Sequence, residues 1–267
     1  MDIISLVGFV MCWGFFVLAL GIAANWNFVA MGMFIDGASI MIVFGMTIMA
    51  VLCAAPLKVF LSAMKAQKII FMPPSLDPAA GINKIVELAN IARKEGVLAL
   101  EDSASNMDDE FLKKGVMLIV DGTAPELVKN IMETEMAYIE ERHSNTASVF
   151  DSIAAYAPAF GMCGTLIGLI LMLADMDPET LGQQMAVAFI TTLYGALMAN
   201  AYANPFGTKL KKISQEEILL KTVMVEGMLS IQAGENPRII EEKLKSFLSP
   251  VVRSAVGESA GGGGGAE

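Results

Sequence analysis

The sequence predicts an all-α membrane protein: four transmembrane helices in two hairpins, with a helical cytoplasmic domain inserted between spans 2 and 3. Three observations predict it. Apolar residues are gathered into four long uncharged blocks, the basic residues avoid two of the connections between them, and the charged segments repeat their apolar residues at three and four rather than two. The 267-residue chain is 55% hydrophobic and 17% charged, with a mean hydropathy of +0.58, more apolar than an average soluble domain.

The blocks are 3–24, 37–55, 152–174 and 184–206. Each reaches or approaches the roughly 20 residues that cross a hydrocarbon core of about 30 Å. The first has no basic region ahead of it and no small-residue cleavage site, so it is expected to be a retained span rather than a signal peptide. Of the 18 basic residues, ten lie between spans 2 and 3 (Lys58 to Arg142) and eight in the tail (Lys209 to Arg253). None lies in the connections 25–36 and 175–183, so the positive-inside rule turns those outward and places both termini in the cytoplasm.

The expected organisation is a first hairpin (1–55), a cytoplasmic helical domain (56–150), a second hairpin (151–207), C-terminal helices (208–256) and a disordered glycine-rich tail (257–267). In the insert, FMPPSLDP (71–78) reads as a proline-set connector. Ile82, Ile85, Val86, Ala89 and Ala92 repeat as a helix face; so do Leu127, Val128, Ile131, Met132, Met136 and Ile139, behind a capping box Thr123–Glu126. The tail is expected to run as helix to about Gln232, with a second helix capped by Asn236 and opened by Pro237.

Several function classes lack support. Cys12, Cys53 and Cys163 fall inside spans at unrelated spacings and read as core filler; His143 is the single histidine, so no metalloenzyme pattern is present. The net charge of −10 argues against a nucleic-acid partner. No phosphate loop, nucleotide fingerprint or nucleophile elbow occurs, so no enzyme and no bound cofactor are expected.

The informative residues lie in the last two spans. APAFGMCGTLIGLILMLA (157–174) carries a proline, three glycines and a threonine. Ala157, Gly161, Gly164 or Thr165, and Gly168 make one small-residue face, and Ala188, Thr191 or Thr192, Gly195, Ala196 and Ala199 another, which implies close helix packing. Pro158 and Pro205 stand at the predicted cytoplasmic ends, as packing kinks or as hinges. Thr165, Thr191 and Thr192 either bond their own helix carbonyls or line a polar path offering hard oxygens to a small cation. No carboxylate accompanies them, so a conducting site would borrow one from another subunit. Asp36 reads as an N-cap, and as an acidic group at the outer mouth it would also concentrate cations. Arg93 and Glu101 read as a solvated charge run or as a docking pair.

Taken in order, FIDGASIMIVFGMT, ARKEGVLALED, the FLKKGVMLIVDG…ERH run, APAFGMCGTLIGLILMLADMDP, GQQMAVAFITTLYGALMANAYANP and LSIQAGENPRIIEEKL resemble blocks of the bacterial flagellar stator A-subunits, the MotA/PomA family. Met46 stands where the family more often has glycine. The resemblance covers nearly the whole chain apart from the glycine tail.

It implies a homopentamer around two copies of a single-span B-subunit (an A5B2 complex) in the bacterial inner membrane. Flow of Na+ or H+ would drive rotation against the rotor's switch protein. By motif position, Pro158 and Pro205 match the family's coupling prolines, Arg93 and Glu101 its rotor-contact pair, and Thr165 and Thr192 positions near the ion in sodium-driven members, which points to Na+ here. The glycines of span 3 are then expected to let a B-subunit helix approach closely. The alternatives are an ExbB/TolQ-type energiser, whose relatives have three spans, and a non-conducting membrane scaffold.

Overall fold

The computed structural model describes residues 2–74, 76–105, 107, 109–174 and 178–248, with backbone only for Pro178 and Glu179. All regular structure among them is helical. In chain order the α-helices are α1 (Ile3–Ala23), α2 (Phe28–Gly32), α3 (Gly37–Ile40), α4 (Met46–Ala54), α5 (Leu57–Phe71), α6 (Pro78–Glu95), α7 (Leu100–Ser105), α8 (Glu110–Val120), α9 (Pro125–Ala174), α10 (Pro178–Leu197), α11 (Asn204–Gln232) and α12 (Pro237–Lys245). Four helical stretches are long and apolar enough to cross a membrane: Ile3–Ala23, Phe28–Ala54, and parts of Pro125–Ala174 and Thr180–Gln232.

The chain divides into two compact units that differ from the expected segments. One joins 1–74 to 142–213; the other joins 75–141 to 214–267. Residues 57–71, expected in the cytoplasmic domain, therefore belong with the spans, and the tail helices share a core with the insert instead of forming a separate segment. Sequence order hid this because one core is assembled from two stretches far apart in the chain. The tail 257–267 lies outside the described residues.

Within the first unit, Asp36 caps α3: the Ser39 amide and hydroxyl both donate to its Oδ2 at 2.7 Å. Span 2 then departs from a simple helix, passing through a π-helical turn at Met41–Gly45. Ser39, Val43, Thr47 and Val51, spaced by four, are all fully buried. In an α-helix of 3.6 residues per turn a strict repeat of four drifts round the axis. The wider π turn takes up the excess and holds all four on one face. A second π turn, Met198–Ala203, ends two residues before Pro205. Phe206 then collects the core rings, with centroids 5.5 Å from Phe9, 5.9 Å from Phe71, 6.0 Å from Phe150 and 4.7 Å from Tyr202.

Within the second unit, α6 buries Ile82, Ile85, Leu88 and Ala89 against Phe111 and Val116 of α8, Val128 and Met132 of α9, Val223 and Met228 of α11, and Ile240 and Leu244 of α12. Asn236 caps α12 with Pro237 opening it, and α11 ends at Gln232, as the sequence predicts. Two local expectations fail. The helix α9 begins at Pro125 with its first bonds to the Ala124 carbonyl, so the cap lies one residue beyond the Thr123–Glu126 box. Leu127, expected on the buried face, is 52% exposed because the core takes Val128 and Met132. In this unit Lys243 binds Glu226 at 2.5 Å and Glu235 at 3.8 Å, tying α12 to α11. The Glu226 hydrogen bond holds that ammonium above the usual lysine range.

Candidate functional site

The two small-residue faces meet each other. A Cβ on Gly161 would stand 2.9 Å from the Thr191 carbonyl oxygen and 3.3 Å from the Thr192 Cα. One on Gly164 would be 2.4 Å from the Thr191 side chain, and one on Gly168 would be 2.8 Å from the Gln184 carbonyl oxygen. From the other helix, a Cβ on Gly195 would lie 2.6 Å from the Ala157 oxygen and 3.1 Å from the Pro158 Cα. Spans 3 and 4 thus cross at backbone contact, the packing that association in lipid rewards. This corrects the expectation that the glycines await a B-subunit helix, because span 4 of the same chain already occupies them. The face of span 3 left open carries large side chains instead, Met162, Leu166, Ile170 and Leu173.

The threonines at this crossing separate into two kinds. Thr191 is fully buried under Gly164 and donates to the carbonyls of Val187 and Ala188 in its own helix, both at 3.0 Å, a packing role. Thr165 is partly exposed and donates to the Met162 carbonyl at 2.6 Å; Thr192 is exposed and donates to Ala188 at 3.4 Å. Each is the chain neighbour of a residue in the Gly164–Thr191 contact, so both flank the same crossing. The two readings of these hydroxyls are compatible. A hydroxyl that spends its proton on a helix carbonyl keeps lone pairs for a cation. Among the described residues no group of three His, Cys, Asp or Glu could hold a metal ion.

Pro158 lies inside α9, where it withholds an N–H from the Ala154 carbonyl, and its backbone meets Gly195 at the crossing. Pro205 follows a π turn, whose added residue relieves the clash a proline ring makes with the preceding turn. Asp36 is partly buried and its carboxylate is engaged in capping α3.

In the second unit, Arg93 and Glu101 are exposed and unpaired by any ion pair among the described residues. The chain turns between them at Gly96, with φ of +91°, where a side chain would be strained. Arg93 and Lys94 of α6 line an open cleft of about 500 Å³ with Asn90, Asn236, Pro237 and Arg238; Glu101 is not part of it. Arg238 therefore joins Arg93 in a three-cation cluster that sequence reading missed, since nothing local in NPRII marks it out.

Residues 103–222 match the sequence profile of the MotA/TolQ/ExbB proton channel family. Motility protein A of Borreliella burgdorferi is 39% identical over 263 residues, covering 98% of this chain and 100% of that protein. This chain belongs to the MotA/PomA family. Chemotaxis protein PomA of Vibrio alginolyticus is likewise 39% identical, over 93% of this chain and 96% of its own. Two solved structures share the fold: the flagellar MotAB stator complex from Bacillus subtilis (TM-score 0.83, 35% identity, 94% of this chain and 98% of the matched chain) and MotAB of C. jejuni (TM-score 0.82, 29% identity, 94% and 97%). Similarity to MotA/PomA relatives across both units, not the spans alone, sets this chain apart from a generic membrane scaffold.

Proposed function

We propose that this MotA/PomA-family chain is the A-subunit of a flagellar stator in the bacterial inner membrane, with both termini cytoplasmic, turning cation flow into torque. The observation that carries the reading is the crossing of spans 3 and 4: it has threonine hydroxyls on its rim and a proline where Gly195 meets span 3, but among the described residues no carboxylate. Such a site needs a charged group from a second chain. The solved relatives are MotAB complexes, and a B-subunit supplies that chain here, in an assembly of five A-subunits around two B-subunits. Its helix meets the open face of Met162, Leu166, Ile170 and Leu173.

The driving ion is Na+ rather than H+. A proton needs only the carboxylate, whereas a desolvated sodium ion needs several oxygens, which Thr165 and Thr192 offer. Asp36 raises cation concentration at the outer mouth. Coexpressed with its B-subunit in flagellated cells lacking a stator, the protein should drive swimming that speeds up with sodium at fixed pH. Thr192→Ala is expected to raise the sodium concentration for half-maximal speed by about tenfold, one ligand contact of roughly 1.4 kcal/mol. Speed that follows only the proton gradient would remove sodium from this account.

The Arg93–Lys94–Arg238 cluster is the surface for an acidic face of the rotor's switch protein, with Glu101 beyond it providing orientation. Like charges brought together across an interface cost several kcal/mol. Reversing Arg93 and Arg238 together to glutamate should therefore leave complex levels in the membrane unchanged while motility is lost. Normal swimming by that double variant would rule the cleft out as the rotor contact.

A further inference from the structure

We propose that the Asp2–Lys209 ion pair is a positioning element for Pro205, pinning the turn beyond that proline to the start of α1 so that bending there is delivered along α11. The proposal rests on the reading of Pro205 as a coupling proline and concerns what makes such a bend effective. A hinge transmits motion only if it is soft at one point, has room to move, and is held firmly next to that point.

All three conditions are met around Pro205. The soft point is the π turn Met198–Ala203, which ends two residues ahead of it. The room is a cavity of about 280 Å³ lined in part by Ser5, Phe9, Cys12, Asn200, Pro205 and Lys209. The hold is the ion pair: Lys209, one turn past the proline, places its Nζ 2.6 Å from Asp2 Oδ2 across 207 residues of sequence. The same carboxylate caps α1, accepting from the Ser5 amide at 3.1 Å and hydroxyl at 2.8 Å, while the Asp2 amide donates to the Phe71 carbonyl at 2.9 Å. Asp2 thus joins the start of α1, the end of α5 and the start of α11 at one residue. Phe206 reinforces the junction with its ring contacts to Phe9 and Phe71.

The pair is partly shielded, with side chains 31% and 19% exposed, whereas the neighbouring Lys211–Asp151 pair is half exposed on both sides. Exposed pairs contribute little, so the two pairs make a matched comparison. The Lys209 ammonium, with the Ser5 hydroxyl and amide, holds the Asp2 carboxyl well below the usual carboxylate range.

The test uses the full chain coexpressed with its B-subunit in flagellated cells lacking a stator, reading complex level in the membrane and swimming speed against the driving-ion concentration. D2K and K209D should each lower maximal speed by about threefold or more, the scale of a partly shielded pair, without moving the ion concentration for half-maximal speed. The D2K/K209D exchange should restore most of the loss, K209R should behave as wild type, and K211Q should have no effect. If the reversals are lost from the membrane, D2N and K209Q carry the test. Wild-type maximal speed per complex in D2N and K209Q, or an exchange no faster than the single reversals at equal complex levels, would overturn the proposal. Pro205→Ala distinguishes the two readings. If it slows the motor while the pair variants do not, the positioning role alone fails; if it too swims normally, the coupling role of Pro205 fails with it.

Discussion

Replacing Gly195 with valine is expected to abolish motility and to lower the thermal midpoint of the purified complex, while Gly14→Ala changes neither. At Gly195 the first atom of any side chain would stand 2.6 Å from the Ala157 oxygen, 3.1 Å from the Pro158 Cα and 3.2 Å from the Ala157 carbonyl carbon. All three are backbone atoms, so no rotamer change relieves the overlap and the helices must part. Overpacking usually costs about 1–3 kcal/mol and sometimes more. In a bilayer the loss is not softened by hydrophobic collapse, because lipid is as apolar as the side chains and helix association depends on the packing itself. At roughly 2–4 °C per kcal/mol for a chain of this size, the midpoint should fall about 5–10 °C. On the proposed reading, function is hit twice, since Gly195 also contacts Pro158 and, through Gly161, adjoins Thr192. A methyl added at Gly14 would meet no heavy atom within 4 Å, so that position provides the control. A valine variant with an unchanged midpoint would mean that spans 3 and 4 do not meet at Gly195.

The features legible in the sequence were those set by a few neighbouring residues. The Asp36 cap, the Asn236–Pro237 start of α12, the end of α11 at Gln232 and the buried face of α6 all follow from local chemistry, and each is present. The small faces of spans 3 and 4 were equally visible, but composition says only that a face is small and not what lies against it. The partner turned out to be the other span. The π turns have no proline or cap to announce them; for the first, the one available signal is the repeat of four through Ser39, Val43, Thr47 and Val51, which fits a wider turn better than a plain α-helix. Arg238 and Lys209 were invisible as parts of a site because each acquires its meaning from a residue far away in the chain, Arg93 and Asp2. The three threonines looked alike in sequence and became distinct only through burial: Thr191 is inside the crossing, Thr165 and Thr192 on its rim.

Pro158→Ala is expected to make the complex more stable and the motor inactive. A proline within a helix is about 3 kcal/mol less favourable than alanine, through the missing N–H and the clash with the carbonyl one turn back. Alanine restores the donor to the Ala154 carbonyl and keeps the backbone that Gly195 touches, adding no atom toward span 4. Part of the gain is forfeited because Pro158 is only partly buried and the surrounding helices are already shaped to its kink, so a rise of about 1–2 kcal/mol is the reasonable scale. If Pro158 only shaped the packing, such a substitution would leave swimming unchanged. If it is the point at which α9 bends as the ion site fills and empties, straightening it locks the crossing in one geometry, and ion flow no longer moves the helix. The paired readout is the thermal midpoint of the purified complex together with swimming speed at equal membrane levels. A higher midpoint with normal speed would eliminate the hinge, and a lower midpoint with lost speed would return Pro158 to a packing role. Only a stable, assembled and immobile motor supports the coupling role, because in that combination the lost activity cannot be attributed to lost structure.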